Sequence, residues 1–420
     1  MSTLNVDKVD PSTGTALELG TSGDTITVPT GAGLTVVDEV KTNKVSPATG
    51  TDFALGDSGD TFTVPSGATI VNSGTATGFG ASLRPNVNPL IINGDMAVAQ
   101  RGTSSTGITG YGYKTVDRWY ADIGGTPGTW TSIQEALTSG AAYTDGFSTA
   151  LRWDCTTADT SHGASDILAL QYRIEGRDLQ LFKKGTANAE AYTLAFWVKS
   201  NKTGTSQCNI YDADNNRLCG ATFTISSGDT WEHKVCNFAA DTTGVMDNNN
   251  AQSMCIYFPV AAGSNYTGGA IPTAWETLSN SDLAVSNLAL ADSTDNDFAI
   301  TGIQLEVGEY TSSTLPPFQH ESYGDNLRRC QRYYEIVVGG AKQDISSSTG
   351  NQEITTPFKT QKRANPTRTV LQSMENCCNA VVTEAGVYDE TLSLRVTAQT
   401  VDATGTECYY FAECAGEAEL

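Results

Sequence analysis

The sequence predicts an all-β fold in four parts: a repetitive N-terminal β shaft over 1–80, a β-sandwich over 85–318, an elbow and short helix over 319–338, and a small C-terminal β domain over 339–420. Three observations predict it. A unit is repeated at the start with an offset of 36 residues, all six tryptophans fall in one long run of alternating segments behind it, and only one stretch carries helical spacing.

The repeat is KVDPSTGTALELGTSGDTITVPTGA (Lys8–Ala32), which returns as KVSPATGTDFALGDSGDTFTVPSGA (Lys44–Ala68) with 17 of 25 positions identical. Each copy sets short alternating segments such as Thr25-Ile26-Thr27-Val28 between Ser-Gly-Asp and Pro-Thr/Ser-Gly turns. Residues 1–80 hold no Trp, Tyr, Cys or His, and Phe53, Phe62 and Phe79 are their only aromatics. So little apolar surface does not offset chain entropy by itself. Identical chains wound about a common axis would supply the missing neighbours, and a homotrimer is expected. A Ser/Gly linker would have no reason to keep the register.

Residues 72–88 read as a hinge, and composition then changes. Trp119, Trp130, Trp153, Trp197, Trp231 and Trp275 all follow. Leu151/Trp153/Cys155, Tyr192/Leu194/Phe196/Val198, Phe223/Ile225 and Met254/Ile256/Phe258 alternate with period two, and turn clusters such as Asp212–Asn216 and Asp247–Asn250 separate them. Many short strands between turns argue a β-sandwich. Ile303, Leu305 and Val307 alternate with Gln304 and Glu306, which predicts a half-buried closing strand. Pro316 and Pro317 then end ladder pairing, having no N–H to donate. Leu327, Arg328, Gln331 and Tyr334 fall at helical spacing, with Asp325 or Asn326 placed to cap. TRTVLQSM, TLSLRV and CYYFAEC supply strands for the last domain, and Glu413–Leu420 reads as a solvated acidic tail.

The string QLEVG, then Pro317, Phe318 and His320, then Tyr323 and L-x-x-CQRYY from Leu327 to Tyr334, resembles the C-terminal junction of bacteriophage tail fibre proteins. Lys362–Thr367 resembles a segment of their terminal domain. The start of the central domain, NPLIINGDM (Asn88–Met96), and its end at QLEVG more loosely resemble the first and last strands of jelly-roll carbohydrate-binding modules. The resemblances imply a jelly-roll-like sandwich in a virion protein assembled in the host cytoplasm. They also imply attachment to other virion tail proteins through the N-terminal region, with host cell-surface polysaccharide as the partner.

A net charge of −22 disfavours nucleic acid and anionic membranes, and no apolar run is long enough to span a bilayer. The N-terminus lacks the apolar core of a secretion signal. Ten cysteines without C-x-x-C, with Cys377 and Cys378 adjacent, predict buried free thiols; Cys208 and Cys219 flank a hairpin and are the one pair that could bond.

Chemistry is sparsely signalled. His162, His233 and His320 have no zinc spacing, and His320 is expected to pack rather than catalyse. Gly107–Thr115 misses a phosphate loop, because Tyr113 stands where glycine is needed. Glu175, Glu190, Glu232, Glu276 and Glu306 are acids from which nothing selects a catalytic pair. The Asp212-Ala-Asp214-Asn-Asn216 turn lacks the glycine and bidentate Glu of a calcium loop. The jelly-roll resemblance would place a structural calcium at Asp95. Binding is better supported: Trp130, Tyr266 and Trp275 lie in Gly/Pro-rich loops, where exposed rings could stack on sugars, although closing the sandwich ends is the alternative use. Arg328, Arg329 and Arg332 are expected to make a subunit contact or salt links. The expectation is therefore a non-enzymatic tail fibre that adheres to host glycan. A non-viral carbohydrate-binding module and a polysaccharide-cleaving tailspike are the alternatives.

Overall fold

The computed structural model describes residues 89–125, 127–344, 351–376, 380–387, 391–398 and 407–420. The repeats and hinge, and the Cys377-Cys378 pair, lie outside the described residues. The chain divides into compact units Met1–Gly78 and Phe79–Leu420, and the second contains everything that follows.

The sandwich strands are β1 (Ser104–Ile108), β2 (Gly112–Tyr113), β3 (Trp119–Gly124), β4 (Thr129–Ala136), β5 (Thr149–Thr157), β6 (Ile167–Glu175), β7 (Tyr192–Lys199), β8 (Gly204–Asp212), β9 (Arg217–Ile225), β10 (Glu232–Phe238), β11 (Gln252–Ala262), β12 (Glu276–Thr277) and β13 (Asp297–Val307). Helical turns α1 (Ala141–Thr144) and α2 (Ser264–Thr267) sit between them. Among the described residues they form two antiparallel sheets, six strands in the order β1-β4-β5-β13-β7-β10 and seven in the order β12-β9-β8-β11-β6-β3-β2. The chain crosses repeatedly from one sheet to the other, the jelly-roll manner of closing a sandwich. Alternation fills the space between: Trp119 and Ile123, Leu168 to Ile174 at every second position, Leu194, Phe196 and Val198, and Ile256 and Phe258 join one core. Phe196 meets Phe223 and Phe258 edge-on, both at 5.1 Å.

Two local expectations are corrected. Asn88–Met96 is not a strand over its described part. Asn93 and Met96 both take φ of 60° and the Asn93 side chain clips Val98 N and O at 2.9 Å, so the segment coils into turns that bury Ile91 and Ile92. It runs tight against β13, where a Cβ on Gly94 would fall 2.3 Å from the Ile303 carbonyl oxygen. That same approach, with the elbow, covers the outer side of β13: Gln304 and Glu306 are 5% and 9% exposed, so the strand is buried on both faces rather than one. Gln304 Nε2 donates to Pro316 O at 3.0 Å, tying the elbow down.

Helix α3 (Tyr323–Gln331) forms where expected but starts earlier. Its cap is Ser322, whose Oγ accepts from Asp325 N at 3.2 Å, and not Asp325 or Asn326. Asn326 is spent on Asp95 Oδ1 at 3.1 Å instead. After two residues the chain enters β14 (Tyr334–Asp344), so Tyr334 is in a strand and β14 begins inside the stretch assigned to the elbow and helix. With β15 (Asn351–Pro357), β16 (Thr367–Asn376), β17 (Ala380–Val387), β18 (Thr391–Ala398) and β19 (Glu407–Glu417) it forms two three-stranded sheets, β14-β19-β16 and β15-β18-β17. Glu413–Leu420 is not a solvated tail: Glu413 to Glu417 form the end of the central strand β19, and Leu420 packs on the sandwich core. Guanidinium groups draw it in. Glu419 pairs with Arg118 at 2.7 Å and Arg101 at 3.2 Å, and Arg363 donates to Ala418 O at 2.8 Å. Arg332 meets Glu175 in a fork of two 2.8 Å bonds, and burial would raise that carboxyl, but the bonds from Arg332 and Tyr333 hold it below its ordinary range.

Candidate ligand-binding face

Residues of the seven-stranded sheet that do not face the core point outward, and strand register decides which of them meet. Tyr120 lies opposite Gln171, Gln171 opposite Tyr257, and Tyr257 opposite Asn209. One rung along, Arg173 lies opposite Cys255 and Cys255 opposite Tyr211. The segment from Gly263 to Ser286 covers one side of this face. Gln207 and Asn209 donate to Leu283 O at 3.1 and 2.9 Å, and Tyr266 and Leu283 pack with Ile167, Ala169 and Tyr257. Tyr120, Asp122, Arg173 and Tyr211 remain half-buried beside it.

These groups hold one another in place. Gln171 Nε2 donates to Asp122 Oδ2 at 2.7 Å, and Arg173 Nε donates to Gln171 Oε1 at 3.1 Å. The guanidinium of Arg173 lies 3.7 Å from the Tyr120 ring centre, and Tyr113 meets Tyr120 edge-on at 5.2 Å. Arg173 Nη1 and the Tyr113 hydroxyl donate to Leu420 O at 2.5 and 3.2 Å. Burial raises the Asp122 carboxyl above its ordinary range, against the opposing pull of Arg173 and Gln171, and pushes the Cys255 thiol up to about 12. The result is a strip of flat aromatic and polar groups with preset donors and acceptors.

The residues singled out from sequence fall in three neighbourhoods. Trp130 is 0% exposed, packs on Trp153 at 6.4 Å and donates to Pro127 O at 2.8 Å. Trp275 is 9% exposed, beside Tyr192, with its N–H on Ala239 O. Neither ring is available for stacking: Trp130 belongs to strand β4 rather than to a loop, and both rings join the sandwich core. Tyr266 alone lies by the outer face, half-buried against Tyr257. The strip itself lies on strands and not in the Gly/Pro-rich loops. Its signal was there in Tyr120, Asp122, Gln171 and Arg173 at the non-core positions of two strands, but only the register brings them together.

Most of the other groups have structural partners. His320 packs with Phe147 and Phe318 at 5.1 and 4.9 Å. Glu175 is buried with Arg332, Glu190 pairs with Lys183, Glu232 with Lys234, and Glu276 is exposed on β12. Asp212 is salt-bridged to Lys184 and its Oδ1 accepts Asn215 N at 3.0 Å, which makes its turn a locked hairpin. Asp95, also raised by burial, spends Oδ1 on Ala97 N and Asn326. A cleft of about 400 Å³ lies between Leu90, Leu305 and Arg329. Arg329 is tied there to Glu321 at 2.7 Å, while Arg328 stays exposed near Asp325. Cys155, Cys208, Cys219, Cys236, Cys255, Cys330 and Cys414 are free and buried.

The described residues thus define a two-sheet β-sandwich joined to smaller sheets. No protein-family model matches the chain, and no curated protein matches it. Among solved structures it is similar to the enzymatically active domain of bacteriophage CBA120 tailspike protein 4, at 12% identity and TM-score 0.25 over 45% of this chain and 19% of that one. It is similar to TmCBM61, solved with β-1,4-galactotriose, at 8% identity and TM-score 0.25 over 53% and 99%. A family 11 carbohydrate-binding module from Clostridium thermocellum aligns at 10% identity and TM-score 0.24 over 50% and 98%. Scores and identities this low describe a distant likeness and assign no activity.

Proposed function

We propose that this protein is a structural virion protein, a phage tail fibre that adheres to host cell-surface glycan and does not cleave it. The observation that carries the binding half is the outer strip of the seven-stranded sheet. The half-buried Tyr120 and Tyr211 rings offer apolar faces to sugar C–H groups, while Asp122 and Arg173, held in place by the buried Gln171, offer fixed hydrogen-bonding edges to hydroxyls. The fibre half rests on the 36-residue repeat and on the tail-fibre-like string from QLEVG to Tyr334. A homotrimer wound through the repeats, attached to other tail proteins at its N-terminal end, completes the reading.

Glycan-array binding by the intact chain tests the adhesive half, with Tyr120→Ala and Tyr211→Ala as the altered forms. Specific binding that both substitutions weaken about tenfold is expected, from the loss of one stacking ring each; undiminished binding by both sends the site elsewhere. Light scattering tests the fibre half. A mass near three chains that falls on removal of residues 1–80 is expected, and a monomeric intact chain would move the reading to a solitary carbohydrate-binding module. Shortening of a bound polysaccharide on incubation would instead identify a cleaving tailspike.

A further inference from the structure

At one end of the seven-stranded sheet the loop between β5 and β6 gathers Asp159, His162 and Asp166, whose donor atoms all lie within 4.8 Å of one another. We propose that these three side chains bind a first-row divalent transition cation of the manganese–zinc class. The proposal concerns the loop alone and does not rest on glycan binding.

Donor spacing is the first ground. Two atoms bound to one such ion at about 2.1 Å stand roughly 3 to 3.5 Å apart. His162 Nδ1 and Asp159 Oδ2 stand 3.0 Å apart, joined by a hydrogen bond that a bound ion would replace with little movement of either side chain. The second ground is the donor set: an imidazole with two carboxylates suits manganese and zinc, whereas calcium and magnesium take oxygen alone.

Rigidity is the third. Asp159 N donates to Ala291 O at 2.8 Å, Gly263 N to Asp166 O at 2.8 Å, and Asn265 N to Ala164 O at 2.9 Å, so neighbouring segments pin the loop at both ends and near its middle. Gly125, at φ +74°, makes room for Asp166, since a Cβ there would lie 1.9 Å from Oδ1. The cluster is sheltered but reachable: the Asp159 and His162 side chains are 21% and 16% exposed, and Asp166 is 8% exposed. A bound ion would fasten this loop beside the segment that carries Tyr266.

The test titrates Mn²⁺ into the untagged, chelator-treated full chain and follows it by electron paramagnetic resonance, a probe the buried thiols do not compete for. One bound equivalent is expected, with affinity lowered about tenfold or more in His162→Ala and in Asp159→Asn. The second variant keeps an oxygen acceptor for Ser161 N, which Asp159 Oδ1 now accepts at 2.9 Å, so it protects the loop if the first disturbs it. Circular dichroism without metal shows that each variant is folded. No bound Mn²⁺, equal binding by both variants, or displacement by an equal concentration of Ca²⁺ would overturn the proposal.

Discussion

Asp117 is 1% exposed, and burial raises its carboxyl to about 7 although Gln100 N donates to it at 2.9 Å and Arg101 stands 3.9 Å away. The folded chain therefore holds a proton that the unfolded chain releases near pH 4. The stability this contributes is full below that pH and is lost as pH rises through about 7. Denaturant midpoints between pH 4 and 8 should fall with pH for the native chain and stay flatter for Asp117→Asn. Lys362 and Glu335 are both 0% exposed in side chain and in direct contact. Replacing Lys362 with Met removes the charge partner of a buried carboxylate that keeps the Lys359 N–H, and should cost about 3 kcal/mol in urea unfolding, more than loss of an exposed pair such as Arg328–Asp325 would. At this scale sequence was a poor guide. Trp130 and Trp275 carry loop-like neighbours yet are buried: Trp130 pairs with Cys155 in the β4–β5 ladder and faces the core, and Trp275 packs beside Tyr192 just before β12.

Elements with their own periodicity were legible. The alternations of β5, β7 and β11 are present, and the helix takes in Leu327, Arg328 and Gln331, although Tyr334 of the same spacing lies in β14. What failed depended on distant partners: Asn88–Met96 could not be seen as turns without Ile303, nor Gln304 as buried without Pro316. Gly302 in β13 shows the same dependence. It has φ +61° within the register shift between Thr301 and Gln304 on β7, and a Cβ there would meet Phe147 Cζ at 2.6 Å. Gly302→Ala should lower the thermal midpoint clearly, by a strain of about 1–3 kcal/mol plus the displaced ring. Ser322→Ala removes a cap and should cost about 1 kcal/mol, read from the same melts.

Across the molecule, the bonds of Glu419, Arg332 and Arg363 join the C-terminal sheets to the sandwich. Calorimetry of a chain comprising residues 79–420 should therefore show one unfolding transition, with calorimetric and van't Hoff enthalpies equal; two resolved peaks would show independent parts. Such long-range pairings, like the outer strip, come from register and from contacts between distant segments of the chain, which local pattern does not carry.

One topological habit occurs twice. β13 comes after every other sandwich strand yet lies between β5 and β7, and β19 comes last among the described strands yet lies between β14 and β16. In synthesis from the N-terminus neither sheet can close as it emerges. Each holds an open slot, with unpaired backbone on both sides, until its late strand arrives. A ribosome pausing before Asp297 or before Glu407 would prolong that state. The same slots are where a strand from a neighbouring nascent chain could insert, so crowding of nascent chains should lower the yield of native protein more than it would for a sheet built from edge to edge.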